Sequence, residues 1–366
     1  MSDTFCSLLW NHIQLNATGN CKPCCRFSDT TIYKDYKNNL HEAFYSKEAN
    51  KIRKDMLAGK SINGCEKCYR DESSTKQSMR TQNNEKFNIN VDNPKIEYLE
   101  LIPSNICNFS CVMCNLTSSS EWYDDTVYLQ EKGFIKTKNV DRYNSNYLNL
   151  NGIDLSNLVE LKLLGGEPFF EKENIKLLEK IKEFDRLKKL TFHTHTNASF
   201  IPTKEWQHLL SEINSIILSI SMEGYEKYNE YIRYGSRWKT TYKVLKFWNE
   251  FSYNKNIQLK IHCVVNNYNL FHINDFEVWC KKNFPNIMLN FDVLDRPEYL
   301  CISNLPLKYK QKAAKTITHD KILNVLFKQD SKNMFNKFKT YTKLLEQKRK
   351  NSISSFDINV REMLYE

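Results

Sequence analysis

The sequence predicts an α/β protein built on a parallel sheet of βα repeats. Between residues 96 and 294, short apolar runs of strand character alternate with longer amphipathic runs of helical period, the signature of strands joined by crossover helices. Six strands are expected, at 96–102, 159–164, 190–196, 216–222, 259–265 and 288–294, with helices between them, for instance at 174–184 and 239–251. Three cysteines follow the first run and a Gly-Gly-Glu-Pro segment follows the second. Reactive groups in such repeats gather at the C-terminal ends of strands.

At 366 residues, 41% hydrophobic and 13% aromatic, the chain exceeds one core, and a main domain of about 200 residues with appendages is expected. No apolar run reaches the ~18 residues of a membrane span. Residues 1–10 lack a basic segment followed by an apolar one, so no secretion signal is expected either. Twelve cysteines in that context read as metal ligands in a reducing cytoplasm rather than as disulfides. The net charge of +10 is carried mostly by Lys spread beside Glu, without a compact basic run interleaved with aromatics. A solvated surface is expected, and nucleic acid is not.

Residues 1–92 form a first unit with its own cysteines: Cys6, then Cys21, Cys24 and Cys25, then Cys65 and Cys68. The stretch 40–58 has apolar residues at helical spacing and stops at Gly59, separating two thiol-bearing loops. Cys65-x2-Cys68 can reach one metal, and zinc and iron are both open there.

Cys107-Asn108-Phe109-Ser110-Cys111-Val112-Met113-Cys114 presents three thiols spaced C-x3-C-x2-C. A closed zinc site takes four protein ligands and an iron-sulfur cluster usually four cysteines. Three thiols in one loop therefore leave a coordination position open, unless a fourth ligand arrives from elsewhere in the chain.

Taken with Leu163-Leu164-Gly165-Gly166-Glu167-Pro168, this loop resembles the radical S-adenosylmethionine (radical SAM) enzymes. The resemblance implies a partial (β/α)6 TIM-like barrel over 93–305, in which Cys107, Cys111 and Cys114 hold three irons of a 4Fe-4S cluster. S-adenosylmethionine would chelate the fourth iron. The resemblance assigns cofactor contacts to Phe109 and to Met113, which stands where an aromatic residue is common and whose thioether can cover an adenine face. It assigns the methionine amino group to Gly165, Gly166, Glu167 and Pro168. Thr196 and Asn197 close the third strand, where Ala198 replaces a common Gly. Ser221 and Glu223 lie in a segment similar to Ser-x-Asp-Gly, with Glu for Asp. Arg233 aligns with an arginine that pairs with the methionine carboxylate, a task suited to a bidentate guanidinium. Val265 ends the fifth strand and is assigned to adenine.

Phe5-Cys6, Trp10, Gly19, Pro23-Cys24-Cys25, Met56 to Gly59 and Cys65-x2-Cys68-Tyr69 resemble the SPASM or twitch auxiliary-cluster module, placed before the barrel. The resemblance implies a second iron-sulfur cluster, of 4Fe-4S type, on Cys6, Cys24 or Cys25, Cys65 and Cys68. His193 and His195 share one strand face and are expected to pack or line a pocket. Cys263, Cys280 and Cys301 are expected as buried apolar thiols. Residues 306–366 are expected to be a helical extension with Val325, Leu326, Phe335, Phe338 and Leu344 as its apolar face.

The implied function is reductive cleavage of S-adenosylmethionine to a 5′-deoxyadenosyl radical, with electrons from a flavodoxin-type or ferredoxin-type protein. The expected substrate is a ribosomal peptide, with a carbohydrate or nucleoside as alternative. No residue is assigned to acid-base or radical-quenching chemistry. The rival of another class is a non-enzymatic protein, zinc-stapled at Cys6, Cys24, Cys65 and Cys68, that uses its basic surface for nucleic acid. It leaves the Gly165–Pro168 segment and the strand alternation without a purpose.

Overall fold

The computed structural model describes residues 3–16, 18–28, 33, 36, 39–136, 141–143, 153–253, 255–328 and 332–365. Residues 1, 2 and 366, at the ends of the expected terminal segments, lie outside the described residues. Among the described residues eight strands form: β1 (His12–Leu15), β2 (Cys21–Lys22), β3 (Tyr98–Leu101), β4 (Glu160–Leu163), β5 (Thr191–Thr196), β6 (Ser215–Ser221), β7 (Ile257–Val265) and β8 (Met288–Val293). Their order in the sheet is β2-β1-β3-β4-β5-β6-β7-β8, which leaves β2 and β8 as end strands. β1 pairs with β3, β3 with β4, β4 with β5 and β7 with β8 in parallel, while β1 and β2 are antiparallel.

β3 to β8 are the six expected strands, and the helices Lys172–Glu183 and Trp238–Ser252 lie where expected. β1 and β2 were not expected and extend the sheet beyond β3. At four and two residues they are too short for alternation to be read with any weight. The stretch 40–58 is two helices, Leu40–Tyr45 and Lys47–Leu57. Ser46 separates them with an extended backbone, and its hydroxyl caps the second helix by accepting from the Ala49 N–H at 3.1 Å.

By chain contacts the protein forms two compact units, interleaved along the sequence. One comprises Met1–Ile106, Tyr143–Thr194 and Thr203–Ile217; the other comprises Cys107–Arg142, His195–Pro202 and Leu218–Glu366. In the first unit the parallel register aligns Ile13, Leu99, Leu161 and Phe192 on one face. All four are essentially buried, and such side chains each contribute about 1.5–3 kcal/mol. The helix Lys172–Glu183 buries Ile175, Leu177, Leu178 and Ile181.

The opposite face of the same strands carries Gln14, Glu100, Lys162 and His193 in one rung. Parallel sheets are usually apolar on both faces, so this rung must be paired internally. Gln14 Nε2 donates to Glu100 Oε1 at 3.0 Å, Lys162 Nζ lies 3.4 Å from the same oxygen, and His193 Nε2 lies 3.0 Å from Glu160 Oε1. Burial raises the Glu160 pKa, but the His193 and Lys86 partners outweigh it and hold the carboxyl below its ordinary value.

In the second unit β7 buries Leu259, Ile261, Cys263 and Val265 on alternate positions. Its C-terminal part is helical at Leu307–Ala314, Asp320–Leu326, Lys332–Arg349 and Ile358–Tyr365. Leu326 and Phe338 are buried as expected, whereas Val325, Phe335 and Leu344 are half-buried and Tyr341 and Leu345 take the inner face. Cys263, Cys280 and Cys301 are buried, as expected. No helix among the described residues is long and apolar enough to cross a membrane.

Leu161→Ala, at a wholly buried site on β4, is expected to lower the unfolding free energy by about 2–5 kcal/mol. Tyr253→Ala, at a side chain 73% exposed, should change it by less than about 0.5 kcal/mol. Urea unfolding of both variants checks this, and equal effects would contradict the placement of β4 in the core.

Candidate functional site

The Cys107–Cys114 loop, in the second unit, is held through its main chain. Ser110 N–H donates to Tyr234 O at 2.9 Å and Val112 N–H to Ile232 O at 2.8 Å. Its carbonyls are claimed by side chains: Phe109 O by Ser119 Oγ at 2.6 Å, Ser110 O by Arg349 Nη2 at 2.7 Å, Cys111 O by Trp122 Nε1 at 2.9 Å and Val112 O by Tyr341 Oη at 2.6 Å. Arg349 is itself fixed by Asp125 at 2.6 Å. With the main chain satisfied, the thiols and the side chains of Asn108 and Met113 are what the loop offers. Cys111 is buried, Cys107, Met113 and Cys114 are half-buried, and Phe109 is a buried anchor.

Cys111 shares its thiol hydrogen with Cys114, which lowers the Cys114 pKa and raises that of Cys111, with burial adding to the latter. The Arg233 charge favours the thiolate at both. Arg233 is only 9% exposed and its Nη1 lies 3.1 Å from Glu223 Oε2, a carboxylate 2% exposed. The guanidinium Nε has no partner among the described residues. Glu223 and Arg233, expected separately from the sequence, are thus a buried pair. Asn197 Nδ2 donates to Asn108 Oδ1 at 2.8 Å and lies 3.7 Å from Cys107 Sγ. Thr196 Oγ1 accepts from the Ala198 N–H, and Ala198 adopts φ 54°, the left-handed conformation its turn requires. Ser221 is half-buried, and Val265 is wholly enclosed.

In the first unit, Gly165 and Gly166 lie against the residues that lead out of β3. A Cβ on Gly166 would stand 2.1 Å from Ile106 O, and one on Gly165, at φ 124°, 2.6 Å from Ser104 O. Gly166 N–H donates to Ser104 O and Glu167 N–H to Ile106 O, at 3.2 and 2.8 Å. Only glycine permits this approach. The Glu167 carboxylate is 1% exposed and caps the turn Pro168–Phe170 by accepting from Phe169 N–H.

The N-terminal thiols lie in the same unit. Cys6 belongs to an apolar cluster built on Phe5, Trp10, Phe27, Ile52 and Met56, and Cys24 and Cys65 pack against it; burial raises the pKa of all three thiols, and neighbouring cysteines add to the rise. Cys25 is exposed, with its Sγ 3.8 Å from Met79 Sδ. Cys21 Sγ donates to Tyr36 O at 3.1 Å and stands outside both groups. Among the described residues no three His, Cys, Asp or Glu side chains are placed to hold a single metal ion. The fit to iron-sulfur clusters therefore rests on donor chemistry: soft thiols gathered in two groups, one beside a buried guanidinium. Trp122, Asp125, Tyr341 and Arg349, which fix the thiol loop, carry no local sequence signal; their partners are up to 239 residues away.

No protein-family model and no curated protein sequence matches the chain. Among solved structures it is similar to anSMEcpe with bound AdoMet, at 20% identity and a TM-score of 0.42, covering 64% of this chain and 57% of that one, less than two thirds of its length. It is also similar to Streptococcus suis SuiB bound to precursor peptide SuiA, at 15% identity and a TM-score of 0.37, covering 84% and 67%. A third similarity is to the radical S-adenosylmethionine methyltransferase TsrM from Kitasatospora setae with cobalamin and a 4Fe-4S cluster bound, at 10% identity and a TM-score of 0.32, covering 55% and 37%.

Burial pushes the Cys6 and Cys65 thiols up from 9.0 to about 12. Because the folded value lies above the unfolded one, the neutral thiols stabilise the metal-free fold below pH 9.0, and that contribution is lost as pH rises toward 12. The melting temperature of metal-free protein should therefore fall above about pH 9, and less steeply in Cys6→Ala, Cys65→Ala. Identical slopes in the two proteins would contradict the burial of these thiols.

Proposed function

We propose that this chain is a radical SAM enzyme with an N-terminal auxiliary iron-sulfur module. The observation that carries the reading is the Cys107–Cys114 loop, whose main chain is tied down while three thiols of one loop remain on offer. Cys107, Cys111 and Cys114 would hold the cluster. Gly165 and Gly166, packed on the chain just before Cys107, with Glu167, would serve the methionine amino group, as the sequence resemblance implies. Arg233 would receive the methionine carboxylate through its unpartnered Nε, while Glu223 holds the guanidinium in place through Nη1. On this reading Glu223 is a positioning residue rather than a cofactor contact. Cys6, Cys24, Cys65 and Cys68 would hold the second cluster, with Cys24 favoured over Cys25 because it packs on the apolar cluster that contains Cys6 and adjoins Cys65, whereas Cys25 is exposed.

When bound, the cluster and S-adenosylmethionine supply the reductive cleavage that yields methionine and a 5′-deoxyadenosyl radical for hydrogen abstraction. The chain supplies ligands, orientation and exclusion of water. The substrate in this reading is a ribosomal peptide, with a carbohydrate or nucleoside as alternative, and the electrons come from a flavodoxin-type or ferredoxin-type protein. Twelve cysteines suit a reducing cytoplasm.

Anaerobically purified protein should be brown and carry about eight irons per chain, and should release 5′-deoxyadenosine with dithionite. Replacing Cys107, Cys111 and Cys114 together by Ala should abolish that release and leave roughly half the iron. A colourless preparation with stoichiometric zinc, or unchanged 5′-deoxyadenosine from the triple variant, would contradict the assignment. Cys65→Ala, Cys68→Ala should keep uncoupled cleavage of S-adenosylmethionine and lose substrate product, with solubility and helix content checked because metal binding at such sites is partly folding energy. Full turnover by that variant would leave its cluster a structural role.

A further inference from the structure

The first unit holds a cavity of about 170 Å3 at the N-terminal ends of β1, β3 and β4, lined by Asn11, Glu97 and Asn157, which precede those strands. Gly165 and Gly166 follow the opposite end of β4, so the cavity is separate from the cofactor contacts proposed above. Main-chain bonds build its frame: Lys95 N–H donates to Trp10 O at 3.0 Å and Glu97 N–H to Asn11 O at 2.9 Å. Asn11 is wholly buried, and its Nδ2 donates to Glu97 Oε2 at 3.5 Å. That bond fixes the amide and leaves its Oδ1 without a partner among the described residues. Such a buried acceptor favours a ligand that brings a donor. Asn90 Oδ1 accepts from the Asp92 N–H at 3.0 Å, which leaves Nδ2 of that amide, and Asn157 Nδ2 donates to Ser156 Oγ at 3.1 Å, which leaves Oδ1. The Asn88 and Asn93 side chains, both exposed, have no hydrogen-bond partner among the described residues.

We propose that this cavity binds one neutral polyhydroxylated ring, a sugar residue that is free or terminal in a longer chain. Its amides offer donors and acceptors side by side, and a hydroxyl, which both donates and accepts, is the group that uses both. The two charges in the wall, Lys95 and Glu97, are opposite, so neither a net anion nor a net cation is favoured. Trp10 spends its indole N–H on Val91 O at 3.1 Å, so its remaining surface is apolar, and with Ile89 it gives the C–H side of a ring a place to rest. The size agrees, since a cavity of about 150 Å3 takes one six-membered ring. Asn88, Asn90 and Lys95, all exposed, give it an open mouth through which hydroxyls or a longer chain can project. A ring held at this end of the strands is not the group that the radical attacks. The site is a second one, and it stands independently of the proposed function.

The test titrates the full-length, anaerobically purified protein with D-glucose, D-galactose, N-acetyl-D-glucosamine and their methyl glycosides, read by saturation-transfer NMR and by melting temperature. At least one of these sugars is expected to bind saturably and to raise the melting temperature. Asn88→Ala with Asn93→Ala, at two exposed side chains, is expected to weaken that binding by about tenfold or more as their hydrogen bonds are lost. The same variant should keep the parent melting temperature without sugar and the parent release of 5′-deoxyadenosine. A methyl glycoside that binds as well as its parent sugar identifies the terminal residue of a chain as the ligand, and loss on methylation identifies a free sugar; both support the site. Absence of saturable binding by every sugar tried would overturn it, as would undiminished binding by the double variant, which would place the sugar elsewhere. Saturable binding of glycine or inorganic phosphate in place of the sugars would overturn it too, because the charged pair rather than the amides would then select the ligand. A colourless, cluster-free preparation that still binds sugar would strike the proposed function alone.

Discussion

The main chain of the thiol loop is tied down by side chains from elsewhere in its unit. Four consecutive carbonyls, from Phe109 to Val112, are taken by Ser119, Arg349, Trp122 and Tyr341. Each such bond is worth about 1 kcal/mol net, but leaving a buried carbonyl unpaired costs about 1–3 kcal/mol. Turning a thiol away would require breaking several of them together. The rigidity thus comes from the helix Lys332–Arg349 and the segment 119–125, parts of the chain that carry no ligand themselves.

A second constraint is the charge beside the thiols. Arg233 is buried and would be costly unpaired, and Glu223 offsets that cost through Nη1. The pairing fixes the plane of the guanidinium and leaves Nε free of partners. In the N-terminal unit the thiols rely on burial instead: Cys6 and Cys65 sit among Phe5, Trp10 and Met56 with their pKa values pushed up to about 12, so any metal there must displace protons.

The strands β3 to β8 were legible in the sequence because their signals are local. Period-two alternation in β3, β4 and β5 places Leu99, Leu161 and Phe192 on one face and Glu100, Lys162 and His193 on the other. What was not legible depends on distant neighbours. β1 forms because Ile13 and Leu15 find Leu99 and Leu101, some 86 residues later. Cys24 and Cys25 are adjacent in sequence and chemically alike, and only the fold packs Cys24 on the cluster that contains Cys6 and leaves Cys25 exposed. Val265, assigned to adenine by resemblance, is wholly enclosed in the core. The anchoring of the loop by Tyr341 and Arg349 has no sequence trace either, since neither lies near a motif.

The central claim is that the loop leaves one iron open to S-adenosylmethionine. It is tested most directly by electron-nuclear double resonance on the reduced protein carrying Cys65→Ala and Cys68→Ala, so that only one cluster contributes, with S-adenosylmethionine labelled with 15N at its amino group. The account predicts a nitrogen hyperfine coupling that changes when 14N is replaced by 15N, because the amino group is bound to the cluster. A spectrum indifferent to the label, in protein that holds the cluster and binds S-adenosylmethionine, would contradict it.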